Sequence, residues 1–424
     1  MPTLFQISIE VNSGSVGRIA EQIGQRAMAH GWESYITYAR NHQESKSKVI
    51  KIGSKLDIYW HGLITRLFDR HCLSSTRATR NLIKQIKEIQ PDIIQLHHIH
   101  GYFLDMRTLF QYLSSVNIPV VWVFHDCWAI TGHCAHFDYI NCFKWQTQCK
   151  FCPQKRVYPG SYLLDRSFEN YILKKELFTS VFNMTVVPVS QWLGRIVKQS
   201  FLREYPVDVI QNGIDIDVFS PQSLQEINEM RQKYNLKEQM SILLGVASTW
   251  ERRKGLNDFI DLSRIIPSNW KIVLVGLKKQ QIKLLPRNIL GIERTENVQQ
   301  LAILYSLATV FINPTWEDTF PTTNLEALAC GTPVITYNTG GSVESVAESV
   351  GFIVEKGDVE GIKECVQEIL KAGKDKYRAE CRDRAVKLYD KNNRFEDYIR
   401  LYNRLLCGKI NEKCWVNTQI KTQK

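Results

Sequence analysis

The chain lacks any apolar run approaching the roughly 20 residues of a membrane-spanning helix. Its opening residues, Met1-Pro-Thr-Leu-Phe-Gln-Ile-Ser-Ile-Glu10, lack the basic region and long apolar core of a secretory signal. These two absences make a cytoplasmic location with reduced thiols the expectation. There is no full Gly-x-Gly-x-x-Gly dinucleotide fingerprint. The basic residues also lack the interleaved aromatics of a nucleic-acid motif, so no nucleic-acid partner is expected. No internal repeat is visible unless two similar α/β halves count as one. What the chain does have is positive charge: 54 Lys and Arg against 43 Asp and Glu, a formal +11. That excess favours anionic partners such as nucleotide phosphates or a phospholipid surface.

At 424 residues the chain is long enough for two or more domains, each with its own core. Short apolar runs read as strands: Leu4 to Ile9, Trp32 to Tyr38, Pro91 to Leu96, Pro119 to Phe124, Thr185 to Val189, Pro206 to Ile210, Ser241 to Val246, Lys271 to Gly276, Val310 to Asn313, Val334 to Tyr337 and Gly351 to Glu355. Amphipathic stretches lie between them, among them Ile19 to His30, Arg77 to Ile89, Tyr102 to Ser115, Asp165 to Phe182, Asn324 to Cys330 and the run 359–406. Residues 41–75 read as less regular. The alternation predicts an α/β protein with parallel, doubly wound sheets, in which ligands gather at the carboxyl ends of strands.

Several chemically useful residues fall at such ends. Gly14 and Gly17 follow the first strand, where a glycine backbone can approach a phosphate or sugar closely, although a plain strand-to-helix turn is an equal reading. His97, His98 and His100 end one strand, and His125-Asp126 ends the next; the spacing of the first three gives little support for a metal site. After Val246 comes Arg252-Arg253-Lys254, either a diphosphate clamp or a solvated charge run. After Asn313 comes a loop with Glu317, Asp318, Thr319 and Phe320, then a helix carrying Glu326; acidic groups and helix-start amides suit a nucleotide sugar, or merely complement the helix dipole. Lys174 and Lys175, with Arg156, Arg166, Arg195 and Lys198, make either a solvated face or a surface for an anionic membrane.

Cys134-x7-Cys142-x6-Cys149-x2-Cys152 places four thiols in nineteen positions, with Cys127 just upstream. Structural zinc, buried free thiols and redox chemistry are the alternatives; Cys149 and Cys152 have the pair spacing of zinc ligands, and His133 and His136 are further donors.

The stretch Pro314-Thr-Trp-Glu-Asp-Thr-Phe-Pro-Thr-Thr-Asn-Leu-Glu-Ala-Leu-Ala-Cys-Gly-Thr-Pro-Val-Ile335 resembles the signature of retaining, family-4-type glycosyltransferases. Asp318 has the family spacing to Glu326, and Glu317 has the family residue type. Asn212-Gly-Ile-Asp215-x3-Phe219 resembles the interdomain linker, and Lys254-Gly255 resembles the diphosphate-binding pair. His125-Asp-Cys-Trp followed by the cysteine segment is similar to the exopolysaccharide subgroup near the colanic-acid biosynthesis enzymes. The resemblance implies a GT-B fold: an acceptor-side Rossmann-like domain over 1–206 with a cysteine-rich insertion at 127–160, and a donor-binding domain over 207–383, facing across a cleft. It further implies a helix over 384–407 crossing back and a polar, frayed tail from 408.

It also implies transfer of a sugar from a nucleoside-diphosphate sugar to a saccharide or lipid-linked saccharide, with retention. The setting would be exopolysaccharide, capsule or O-antigen biosynthesis. In that reading His125 and Glu317 or Asp318 act at the sugar. Gly14, Gly17, Arg252 or Arg253, Lys254, Thr319, Phe320 and Glu326 hold the donor. No catalytic metal is needed, and any zinc on Cys134, Cys142, Cys149 and Cys152 is structural. The alternatives are a sugar phosphorylase or nucleotide-sugar epimerase on the same fold, and a basic, zinc-containing binding module without catalysis.

Overall fold

The computed structural model describes the backbone of residues 1–421 and the side chains through Cys407. The chain forms two compact units, residues 1–211 with 394 onward, and residues 212–393. The first unit holds the strands β1 (Thr3–Ile7), β2 (Glu33–Tyr38), β3 (Lys48–Lys51), β4 (Ile93–Leu96), β5 (Val120–Phe124) and β6 (Met184–Pro188). Its helices are α1 (Gly14–Ala29), α2 (Lys55–Phe68), α3 (Thr76–Ile89), α4 (Met106–Ser114), α5 (Ser167–Phe178) and α6 (Gln191–Gln199). The sheet is wholly parallel in the order β3-β2-β1-β4-β5-β6. Strands β1, β4, β5 and β6 are buried at every position, as expected where helices cover both faces of a parallel sheet.

The second unit comprises α7 (Leu224–Lys233), β7 (Ser241–Val246), α8 (Leu256–Ile265), β8 (Trp270–Val275), α9 (Lys279–Ile282), β9 (Ile289–Ile292), α10 (Val298–Leu307), β10 (Val310–Asn313), α11 (Thr322–Ala329), β11 (Val334–Tyr337), β12 (Gly351–Val354), α12 (Val359–Ala372) and α13 (Lys374–Tyr389). Its sheet order is β12-β11-β10-β7-β8-β9, again parallel throughout. Numbered from its own first strand this is the same order as in the first unit, the doubly wound Rossmann arrangement, so each sheet has one point where the winding reverses. In the first unit that point lies between β1 and β4, and in the second between β7 and β10.

The last helix, α14 (Lys391–Lys421), begins in the second unit and belongs to the first from Arg394. Glu396 pairs with Arg26 and His30 of α1, Tyr402 packs on Trp32 at 5.4 Å between ring centroids, and the Tyr402 hydroxyl donates to Gln95 on β4. Residues 422–424 of the expected polar tail lie outside the described residues, as do the side chains from 408.

Several expected elements differ. The stretch 41–75 contains β3 and α2. Residues 206–210 form no regular strand: Val207 makes one isolated bridge to Val186, and the chain follows β6 through single hydrogen bonds. The helix expected from Ile19 starts at Gly14. Ser190 caps α6 as anticipated, accepting from Leu193 N at 3.1 Å. Lys174 is not part of a basic face. It is 1% exposed, donates to the carbonyls of Trp128 (2.7 Å) and Thr131 (3.0 Å), and lies 3.5 Å over the Trp128 ring.

A second inward lysine supplies a pH test. Lys374 Nζ is sunk between the carbonyls of Ser306 and Ala308, 2.6 Å from each, and burial pulls its pKa down to about 7. Between that value and the unfolded-state value the unfolded chain holds more protons, so this group's contribution to stability rises with pH. Wild type is therefore expected to gain on Lys374→Met by up to ~1.4 kcal/mol per pH unit from about pH 7.5 to 9.5. Denaturant unfolding of both proteins at three pH values measures it; parallel curves would show that Lys374 titrates normally.

Candidate active site

In the second unit, the two connections that leave the reversal point carry the expected donor residues. The β7–α8 connection contains a single 3-10 turn, Arg252–Lys254, closed by Gly255 with φ +76°. The β10–α11 connection contains Glu317, Asp318, Thr319 and Phe320. Hydrogen bonds tie the two connections together: Trp316 N donates to Arg253 O at 2.8 Å, Thr315 Oγ1 donates to the same oxygen at 3.3 Å, and Arg253 Nη1 donates to Glu317 O at 2.7 Å. Across that seam the Lys254 ammonium pairs with Asp318 Oδ2. Burial lowers the pKa of Lys254 from the ordinary lysine value, while the charge of Asp318 opposes the drop. Arg252 is exposed, so it lacks the fixed position that Arg253 has.

Of the two candidate carboxylates, Glu317 is fully buried and Asp318 is the one that meets Lys254. The Gly340-Gly341 turn holds Asp318 from behind: Gly341 N donates to Asp318 O at 2.9 Å, and a Cβ at Gly340, which has φ +52°, would collide with that same carbonyl. Thr339 Oγ1 adds a bond to Trp316 O at 2.8 Å. Thr319 and Phe320 are buried, Phe320 against Tyr389 at 5.9 Å between ring centroids. Glu326 accepts from the Tyr305 hydroxyl at 2.9 Å; burial and the Glu326 charge keep that phenol protonated. Asn324, two residues earlier, is clamped by Asn313 at 2.8 Å and Ser345 at 2.9 Å, which fixes the start of α11.

In the first unit, Gly14 and Gly17 open α1 after β1. Gly17 packs on the Glu10 backbone, 3.1 Å from where a Cβ would stand, and Gly14 is exposed with φ +63°. His125 ends β5. Its Nε2 meets His97 Nδ1 at 3.1 Å, and His97 Nε2 meets Gln6 Oε1 and Gln95 Nε2, each at 3.0 Å. With the Tyr402 hydroxyl on Gln95, a buried chain of hydrogen bonds runs from the last helix to His125. Burial holds the pKa of His125 well below that of free imidazole and brings His97 down to about 3, so both rings are neutral near pH 7. Gln6, Gln95 and Tyr402 escaped the sequence reading because a lone amide or phenol carries no motif. Their signal was position: Gln6 and Gln95 are the polar residues inside otherwise apolar strands.

The cysteine segment is folded by short turns around Trp145, which packs on Phe137. Cys134 and Cys152 share a hydrogen bond that favours the Cys152 thiolate and brings its pKa down to about 7, and pushes Cys134 up; Cys142 and Cys149 are close enough to add to the latter effect. None of the ten cysteines whose side chains are described forms a disulfide. The only three-membered group of ligand atoms within 4.8 Å of one another, among the described residues, is His98, His100 and Asp126. As they stand, the four thiols are neighbours without forming such a group.

A family model described as Glycosyltransferase Family 4 matches residues 16–218, and one described as Glycosyl transferases group 1 matches residues 226–388. The chain thus belongs to the family-4 glycosyltransferases of the GT-B fold. It is similar to WcaC of Escherichia coli (strain K12), named for a role as a glycosyl transferase of colanic acid biosynthesis, with 24% identity over 420 residues covering 95% of this chain and 100% of the relative. Among solved structures it matches sucrose-phosphate synthase from Thermosynechococcus elongatus with a TM-score of 0.73 at 17% identity, covering 96% and 100% of the two chains. Anabaena HepE in complex with UDP-glucose matches with a TM-score of 0.66 at 15% identity, covering 95% and 99%.

Proposed function

We propose that this glycosyltransferase moves a sugar from a nucleoside-diphosphate sugar to a saccharide or lipid-linked saccharide in surface-polysaccharide biosynthesis, with retention at the anomeric carbon. The observation that carries the reading is the Lys254–Asp318 pair, stitched by Arg253 across the two loops at the reversal point of the second sheet. A half-buried lysine beside a fixed arginine is suited to the charge that develops on a departing diphosphate. Its pairing with Lys254 supports reading Asp318, rather than Glu317, as the carboxylate that meets the donor, and Glu326 with its Tyr305 partner would offer a carboxylate to ribose hydroxyls. Such a clamp favours displacement in which the leaving phosphate accepts the acceptor's proton. HepE's complex with UDP-glucose supports the donor class, and the colanic acid role for which WcaC is named supports the pathway.

The test is a thermal-shift panel of UDP, GDP, ADP and their sugars on the full chain. One nucleotide family should raise the melting temperature, and by ~3 kcal/mol of stabilisation at a hundred times its Kd. Silence from all of them at millimolar concentration would overturn the donor assignment. Product analysis by NMR then reads the anomeric configuration; inversion would discard the retaining mechanism.

The acceptor side of the reading rests on the surface of the first unit. Among the described residues no helix is long and apolar enough to cross a membrane. Helix α2 nevertheless exposes Leu56, Tyr59, Trp60 and Leu63, and the adjoining loop, bonded to the end of α2 through Tyr162 N and Arg66 O (2.7 Å), exposes Tyr162 and Leu163. Lys55, Arg66 and Arg70 are exposed on the same stretch. Apolar anchors beside cations fit the interface of an anionic bilayer, where a lipid-linked acceptor resides. Trp60→Glu is expected to reduce co-sedimentation with phosphatidylglycerol vesicles at least about tenfold, without changing the nucleotide-induced thermal shift. Unchanged vesicle binding would remove this face from the proposal. The four-cysteine segment is read as a structural zinc knot, since four neighbouring thiols in one short, turn-rich segment are the donor set such knots use.

A further inference from the structure

The ends of β4 and β5 carry a second cluster that the sugar-transfer reading does not use. Asp126 divides its carboxylate: Oδ1 accepts from Trp128 N at 2.9 Å, and Oδ2 faces two imidazoles. His100 Nε2 stands 2.9 Å from Oδ2, and His98 Nε2 stands 3.3 Å from it. The three ligand atoms lie within 4.8 Å of one another. His98 Nε2 is buried and has no hydrogen-bond partner, because its approach to Oδ2 lacks hydrogen-bond geometry. A buried ring nitrogen aimed at a carboxylate without bonding to it is an unmet demand for a ligand. His100 is oriented from behind, its Nδ1 meeting the Tyr158 hydroxyl at 3.0 Å, the arrangement that fixes a metal-binding imidazole. The three side chains, with His125 and Trp128, line a cavity of about 10 Å³, the size of a single atom.

We infer that His98 Nε2, His100 Nε2 and Asp126 Oδ2 form a binding site for one first-row divalent cation, zinc foremost. The two imidazole–carboxylate separations, 2.9 Å (a hydrogen bond as it stands) and 3.3 Å, match those between ligands ~2.05 Å from a metal, which lie about 2.9 Å apart at a right angle and about 3.3 Å apart at the tetrahedral angle. Two imidazoles and one carboxylate select such an ion over magnesium or calcium, which prefer oxygen donors. Three protein ligands leave a fourth position for water or an anionic oxygen. The site belongs to the first unit, whereas Arg253, Lys254, Asp318 and Glu326 belong to the second, so it is a separate element from the diphosphate clamp. It ties the ends of β4 and β5 together beside His125, whose ring lies 5.2 Å from that of His98.

The experiment uses the full chain, stripped with EDTA and reloaded with Zn²⁺. Isothermal titration with elemental analysis should give one equivalent fewer for His98→Gln than for wild type, whatever the cysteine segment binds. Tyr158→Phe should keep the equivalent but weaken it about tenfold. Zinc-edge anomalous diffraction from wild-type crystals soaked in Zn²⁺ should place a peak about 2.1 Å from the three ligand atoms. That second measurement stands even if the variant misfolds. Equal zinc equivalents in wild type and a folded His98→Gln, or soaked crystals with no anomalous peak at the cluster, would overturn the inference.

Discussion

Lys254→Ala is expected to lower kcat/KM for sugar transfer by ~10²–10³, about 3–4 kcal/mol of lost transition-state stabilisation. The nucleotide-induced thermal shift should vanish with it. Lys254 is the cation drawn into the seam between the two loops, where reduced access to water raises the worth of each charge–charge contact. Its partner Asp318 is held by the Gly340-Gly341 turn and does not follow the removed side chain. The neighbouring Arg252 is exposed, so Arg252→Ala is expected to cost less than about tenfold. Steady-state kinetics on the three proteins, with far-UV circular dichroism as a folding control, separates the cases. Equal effects of the two substitutions would mean that the run is a diffuse basic patch rather than a clamp. A loss confined to KM would show that the lysine binds donor and transition state alike.

The second large effect is expected from a glycine. At Gly255, φ is +76°, and an added Cβ would stand well inside contact distance of Pro314 O and 2.8 Å from Pro314 Cγ. Left-handed backbone costs an alanine roughly 1–2 kcal/mol, and the clash with the next loop's backbone has no flexible side chain to absorb it. Gly255→Ala should therefore destabilise the second unit by about 2–4 kcal/mol, a fall in Tm on the order of 10 °C. Because the residue abuts Lys254 and presses on the loop that carries Asp318, surviving folded protein should also bind nucleotide more weakly. Unaltered Tm would mean that the two loops separate readily, and that the seam between them is not rigid.

The sheets and most of the donor loops were legible because apolar runs buried on both faces leave a plain imprint. Val120-Val-Trp-Val-Phe124 and Val334-Ile-Thr-Tyr337 read as strands from composition alone, and Gly340-Gly341 marked the turn after the second. Helix α2 and strand β3 were illegible for the opposite reason. Their apolar residues face outward, so Leu56, Tyr59 and Trp60 break the inside–outside pattern on which a helix reading depends, and Lys48-Val-Ile-Lys51 is short and mostly exposed. Lys174 looked like surface charge because nothing in a sequence announces that two backbone carbonyls and an indole face wait for an ammonium. The histidine cluster failed by spacing: His98 and His100 share a strand end, but their third partner, Asp126, arrives from the neighbouring strand 26 residues beyond His100. Between Glu317 and Asp318 the sequence offered residue type against register, and the structure places Asp318 on Lys254.

The return of the last helix to the first unit has a consequence for biosynthesis. The second unit is a closed insertion whose ends meet, with Ile214 bridged to Asp390 and Asp215 paired with Lys391. On the ribosome its whole sheet and both clamp loops are present before Phe395, Tyr398 and Tyr402 have emerged. Those residues are core members of the unit that was begun first, and Tyr402 completes the hydrogen-bonded chain behind His125. The order in which the halves become complete is thus the reverse of the order in which they are made. The half that is translated earliest must wait, with part of its apolar surface uncovered, for the end of the chain.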